Sequence, residues 1–461
     1  MNRIRFASGI AGFRIIRTTL ELFLVLRMQE LGFAMSKAGI VYLLFGVSSV
    51  FTGVFFILWP SFCFGSKCKA SIFILWSLAS MVAGLIAVFR VESIAAIISW
   101  AVVCGVGSTA WKINFEALTV SFPTEYLESI AFHRQLFECL AFLLPSICMA
   151  VVFSIEADAE LVSLSTTILG VIAALFSFLS MDQVVGSASN ITPGDEEKDI
   201  IETGTTIAKA FKDFFFTSVV KYCFLNAGIT AIGILVVGTL PITTENYFGL
   251  DPALFWIGAM AFPIGGMAII FDRRIKKSGI DRSTNDLRVG CIAVAVVCML
   301  PIAATPLFPP INEKLAKTSM FFFCFVAGLV YSFAINSAKA LWLLILKNYD
   351  VSFVTRANVI ESLANQMIGA ILFQLHTLLL DAVLRRDNET NDLVWAESCA
   401  FFLPPLCSAI VLVWIIMCLK NASSDEATDE ETSSRLPASN SLRQKSDRPA
   451  QTAELDAIIN L

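Results

Sequence analysis

The sequence predicts an all-α polytopic membrane protein: twelve spanning helices set out as two six-helix bundles. Three observations predict it. Apolar residues gather into twelve blocks of membrane length, and a hydrocarbon core about 30 Å thick takes roughly 20 mostly apolar residues per helix. Hydrophobic residues make up 56% of the 461 and charged residues 15%, a balance far from that of a soluble domain. A longer polar connector then divides the blocks six and six.

In chain order the spans are expected near 8–30, 38–58, 70–89, 93–118, 130–154 and 161–181, then 213–240, 252–271, 286–304, 317–346, 355–380 and 395–419. The first carries Arg14, Arg17 and Glu21, too polar for the core of a cleaved leader, so it is expected to insert uncleaved. The domains follow: a first bundle over 1–181, a cytoplasmic acidic linker over 182–212, a second bundle over 213–419 and a disordered cytoplasmic tail over 420–461. The linker holds Gly194-Asp195-Glu196-Glu197-Lys198-Asp199, and the tail is rich in Ser, Thr, Asp and Glu, a composition that buries too little apolar surface to fold.

Basic residues in short loops mark the cytoplasmic side. One set of connectors holds Lys67, Lys69, Lys198, Lys209, Lys212, Arg273, Arg274, Lys276, Lys277, Arg282, Lys347 and Arg356, while the opposite set is poorer. Both termini and the linker are therefore expected in the cytoplasm, with the plasma membrane as the default location and an endolysosomal membrane as the alternative. Asn388-Glu389-Thr390 is a glycosylation sequon in a predicted outer loop, so Asn388 is the expected acceptor. Most of the twelve cysteines lie inside apolar blocks, where a cysteine is a small packing residue. A net charge of −5 argues against nucleic acid as a partner. The partners expected are a small solute, the bilayer and protons as a coupling ion, with the chain a monomer. No cofactor, metal ligand set, nucleotide loop or nucleophile elbow is apparent.

The halves echo each other. Val120-Ser121-Phe122-Pro123-Thr124 pairs with Val351-Ser352-Phe353-Val354-Thr355, and at the same offset Trp111 meets Trp342, Gln135 meets Gln366 and Phe142 meets Phe373. The matches fall on the fourth-to-fifth and tenth-to-eleventh spans, where a six-plus-six duplication puts them, and parallel repeats with a site between them are a transporter architecture. The second span carries Gly53 near its end and is followed by Gly65-Ser66-Lys67-Cys68-Lys69, and the eighth carries Gly265-Gly266 and runs out into Phe271-Asp272-Arg273-Arg274. On span count, linker, repeat and these loops, residues 8–419 resemble the major facilitator superfamily. The aspartate of that family's loop signature is missing after the second span. The resemblance implies a solute transporter whose first, fourth, seventh and tenth spans line a central cavity.

Buried charges fall on those four spans: Arg14, Arg17 and Glu21 on the first, Lys112 and Glu116 on the fourth, Lys221 on the seventh and Lys339 on the tenth. Charge inside a membrane is costly and marks pairs or pathways. Arg17–Glu21, Lys112–Glu116 and Arg134–Glu138 are each spaced i,i+4 and share a helix face, as structural bridges or as gate latches. Lys339 has no carboxylate one turn away, which makes it a candidate anion ligand with Lys221, Arg17, Asn336 and Asn226. The basic excess favours an anionic or zwitterionic solute, an organic anion or an amino acid. Glu21, Glu116 and Glu361 are the carboxylates placed to carry a coupled proton. His133 and His376 form no motif, and His376 reads as a satisfied core residue rather than a proton relay; an acyltransferase using His133 or His376 is a third, remote reading. Loss of transport with retention of the fold, leaving a binding or signalling protein, is the alternative reading.

Overall fold

The computed structural model describes residues within 11–58, 67–120, 124–155, 165–172, 219–271, 286–297, 312–346 and 351–386, and residue 410; Glu21 and Asn388 fall outside it. Eight long helices are described: α1 (Met35–Leu58), α2 (Lys67–Arg90), α3 (Ile94–Val120), α4 (Thr124–Ile155), α5 (Val219–Gly238), α6 (Phe255–Phe271), α7 (Glu313–Leu346) and α8 (Val351–Arg386). They coincide with the second to fifth, seventh, eighth, tenth and eleventh predicted spans. Helical residues at 11–20, 165–172 and 286–297 fall within the first, sixth and ninth. Four described stretches are long and apolar enough to cross a membrane: Met35–Phe55, Ile94–Ile113, His133–Val151 and Glu313–Lys339.

Several helices outrun the spans read from hydropathy. α4 starts at Thr124 and α8 runs on to Arg386. With 36 residues at about 1.5 Å each, α8 is roughly 54 Å long, so its polar ends stand clear of the hydrocarbon. Hydropathy marks only the apolar middle, whereas backbone hydrogen bonding continues for as long as the helix is sterically free. Large apolar side chains such as Phe51, Phe322, Val289 and Ile172 remain more than half exposed, as suits helices whose outer faces meet lipid.

Two helix pairs make the main contacts between the first four long helices and the last four, α1 on α8 and α4 on α6, with a smaller contact of α3 on α8. A six-span repeat exchanges these pairs: the second and eleventh spans map onto the eighth and fifth. The aromatic contacts follow the same exchange. Tyr42 of α1 meets Phe373 of α8 at 5.0 Å between ring centroids, and Phe262 of α6 meets Phe142 of α4 at 6.1 Å. Phe142 and Phe373 are the residues that the sequence repeat matched. Their partners, on the second and eighth spans, had no such match.

The α1–α8 seam is close because glycines recur every seventh residue. A Cβ on Gly39 would overlap Thr377 and Gln374, one on Gly46 would stand 2.7 Å from the Ala370 Cβ, and one on Gly53 would overlap Leu363. The partner positions 377, 370 and 363 also step by seven, the period of two helices wound around each other, and small residues let membrane helices approach. Replacing Gly46 by leucine is expected to lower stability by at least the ~1–3 kcal/mol of an overpacked core, read as a lower melting temperature. Gly32 lies in an open turn with φ +71°, and a Cβ there would meet nothing within 4 Å; it is needed for its backbone conformation rather than for space.

Candidate functional site

Glu138 is the centre of a cross-half ion cluster. It lies on α4 one turn beyond Arg134, whose Nε donates to Glu138 Oε1 at 3.2 Å. From α7, Lys339 Nζ donates to Glu138 Oε2 at 3.1 Å. Each of the three side chains is about a quarter exposed, so the cluster is partly screened. Arg14, on the first span, adds its positive field at the same carboxylate. Three cations therefore surround one anion among the described residues. The i,i+4 pair was legible in the sequence, but Lys339 is not the unpaired lysine that its own helix suggested. Its carboxylate comes from the other half of the chain, 201 residues away. Asn336 is buried one turn before it on α7.

Beside this cluster lies a cavity of about 60 Å³ between the halves, lined by Arg14, Tyr42, Phe142, Phe262, Tyr331 and Phe373, and by α5 through Thr230, Gly233, Ile234 and Val237. Among the described residues the first, seventh and tenth spans contribute and the fourth, α3, does not, while the second, fifth, eighth, tenth and eleventh supply its aromatic rings. Low charge on the second and eighth spans therefore does not make them lipid-facing only. They carry the seams between the halves, and apolar residues serve a seam as well as they serve lipid. Arg17 is buried, and its Nη2 donates to the Tyr42 hydroxyl at 3.2 Å, fixing one wall. A larger apolar groove of about 390 Å³, between Val297 and α7, lies away from every one of these charges.

A second polar cluster sits one turn along α5. Asn226 and Asn365 both donate amide hydrogens to Glu361 Oε1, the latter at 2.5 Å, and all three side chains are buried. On the neighbouring face of α8, Gln366 accepts from the Thr109 hydroxyl of α3 at 3.2 Å. The sequence placed Asn226 with the solute ligands; in the structure its amide holds Glu361. Lys112 is half-buried on α3. The side chains of Glu116 and Lys221 lie outside the described residues, as do Glu21 and Asn388.

Sequence reasoning missed Asp381. Its carboxylate accepts from the Met35 N–H at 3.0 Å and the Ser36 N–H at 2.7 Å, so α8 caps the start of α1 from the opposite half. The first N–H groups of a helix have no partner within it, and an anion there is favoured by the helix dipole as well. The signal available was weak: an aspartate just beyond a predicted span end. Asp381→Ala is expected to cost about 1 kcal/mol of stability, as loss of an N-cap does. It should also raise thiol labelling of a cysteine placed at Ser36, since the cap holds these two helix ends together.

His376 departs from its reading as a satisfied core residue. It is fully buried, yet neither ring nitrogen has a hydrogen-bond partner among the described residues. Among those residues it also has no activating neighbour of the kind an acyl-transfer catalyst needs. Cys104, Cys223, Cys291 and Cys324 are buried free thiols, in line with packing roles.

No protein-family model matches the sequence, and no curated protein sequence does. Solved structures do. The nucleoside transporter NupG is 12% identical, with 90% of this chain and 99% of that one covered at a TM-score of 0.57. A bacterial homologue of iron transporter ferroportin, in its outward-facing state, is 12% identical, with 91% and 100% covered at 0.62. The chain shares the fold of these transporters. A bacterial homologue of the human drug peptide transporters PepT1 and PepT2 agrees, at 12% identity, 91% and 97% coverage and a TM-score of 0.58. At such identities the likeness is one of fold alone.

Proposed function

We propose that this chain is a twelve-span membrane transporter that carries a small anionic or zwitterionic solute between its two halves by alternating access. The observation that carries the reading is the cluster at Glu138. It ties α4 to α7 across the halves, and it keeps three cations around one carboxylate beside the cavity. A group with a carboxylate, phosphate or sulfate entering the cavity meets this excess. By competing with Glu138 for Lys339 or Arg14, it would loosen a link that has to break when the cytoplasmic side opens. Lys221 and Asn336 stay candidates for further solute contacts, and Arg17 acts through Tyr42.

Glu361 is the carboxylate best placed to couple solute movement to an ion. It lies buried between α5 and α8, and Asn226, which holds it, is one turn from the cavity residue Thr230. Both termini are assigned to the cytoplasm on the distribution of basic residues. The three structural neighbours are named for nucleosides, peptides and iron, so the fold leaves the choice of solute to the side chains, and the side chains favour an anion. The test is thermal stability of the purified protein against solutes graded by charge. Anionic or zwitterionic solutes should raise the melting temperature by mass action. Stabilisation by neutral solutes alone would leave the Glu138 cluster as a latch and overturn the substrate class.

A further inference from the structure

The wall of the central cavity is far more aromatic than the rest of the chain. Five of its ten described lining residues are Phe or Tyr, against 11% aromatic residues overall. One group of rings comes from each seam. Tyr42 and Phe373 stand 5.0 Å apart, while Phe142, Phe262 and Tyr331 follow one another at 6.1 and 5.4 Å, every pair tilted. Arg14 is the one charged residue among the described lining residues, and none of them is acidic. Two of the wall's hydroxyls are already engaged: Tyr42 accepts from Arg17, and Thr230 donates to the Asn226 backbone carbonyl.

We infer that the cavity selects an aromatic monocarboxylate, a single planar ring with one negative charge. Its carboxylate lies on Arg14 and its ring among Tyr42, Phe142, Phe262, Tyr331 and Phe373. This rests on the reading of the chain as a carrier of an anionic or zwitterionic solute, and it narrows the substrate class. Arg14 makes no ion pair within 4 Å among the described residues, and a guanidinium fork matches a carboxylate with two parallel hydrogen bonds. Rings gain from tilted or offset neighbours at 4.5–7 Å beyond what their buried area supplies. A saturated body of the same size gains the area alone.

Two further features sharpen the choice. An amino acid's ammonium group finds no carboxylate among the described wall residues, and Glu138, beside the cavity, already holds Arg134 and Lys339. A zwitterion therefore meets cations without a matching anion. The volume of about 60 Å³ suits one small planar group better than a conjugate of several. Gly233 helps set that shape, because a Cβ there would overlap the phenol end of Tyr331. With a larger residue at 233, Tyr331 has to shift and the added atoms enter the wall.

The test is the half-saturating concentration for thermal stabilisation of the purified full chain by four solutes. Benzoate is compared with cyclohexanecarboxylate, alike in charge and close in size, with phenylalanine, and with neutral benzamide. Benzoate should half-saturate about fivefold below cyclohexanecarboxylate, as ring contacts require, and at least about tenfold below benzamide, which lacks the charge. Phenylalanine should also be weaker than benzoate. Phe142→Leu keeps apolar bulk and should remove most of the advantage of benzoate over cyclohexanecarboxylate. Gly233→Ala, which the flexible end of Tyr331 can accommodate, should weaken benzoate as well.

Equal half-saturation by the two carboxylates on the unaltered chain would overturn selection for a ring while leaving an anion site, and this arm needs no variant to fold. Phenylalanine binding as tightly as benzoate would overturn it too, in favour of a zwitterion. So would an unchanged benzoate preference in both variants, which would place the ligand elsewhere. Benzamide binding more tightly than benzoate would overturn the anionic reading together with the inference. If benzoate binds as expected but crosses no vesicle membrane, the selectivity of the cavity stands and the transport reading falls.

Discussion

Glu138→Gln is expected to be the most damaging single change near the cavity. It removes the one anion that Arg134 and Lys339 contact and that Arg14 faces, leaving three cations crowded where lipid and apolar helices limit access to water. Breaking a buried pair by removing one partner costs about 3–5 kcal/mol. These side chains are about a quarter exposed, so solvent screening brings the expectation to about 2–3 kcal/mol. The measurement is a melting curve in detergent, which should shift markedly downward and recover part of the loss at high salt. Exchanging the charges, with Glu138→Lys and Lys339→Glu together, should restore more stability than either change alone. A double variant no better than the singles would show that the two side chains do not act as a pair.

Arg14→Gln carries the second large effect, on solute binding rather than on stability. Arg14 lines the cavity and, unlike Lys339, makes no ion pair within 4 Å among the described residues, so its loss leaves no partner stranded. A hydrogen bond to a charged group contributes about 1.5–3 kcal/mol, which is roughly a 10- to 100-fold loss of affinity for an anionic solute. Stability should change little. Isothermal titration of the best stabilising anion against both forms reads the difference. Equal affinities would place the anion elsewhere in the protein.

The helices were legible because a membrane span is a local signal. Eight predicted spans coincide with α1 to α8, and even Arg134–Glu138 could be read, since four residues along a helix fix two side chains on one face. Phe142 and Phe373, matched by sequence alone, both stand in the cavity wall. What could not be read depends on distance along the chain. The partner of Lys339 is 201 residues away and that of Asn226 is 135 away. Nothing local distinguishes a lysine neutralised by another helix from one facing solute. The same holds for Gly39, Gly46 and Gly53, whose seven-residue spacing acquires meaning only against Leu363, Ala370 and Thr377.

That seam is what the functional reading depends on. The six-span repeat read from the sequence would exchange α1 on α8 with α4 on α6, one capped by Asp381 and the other joined to α7 through the Glu138 cluster. The proposed alternating carrier would use both contacts as moving surfaces and both polar links as latches. The most direct measurement is counterflow of radiolabelled anionic and zwitterionic solutes in vesicles holding the purified chain. Saturable uptake of at least one such solute is expected, reduced at least tenfold at subsaturating concentration in Arg14→Gln, as the lost affinity requires. Absence of saturable uptake for every solute that stabilises the folded protein would contradict alternating access, and would make the chain a binding protein on a transporter's fold.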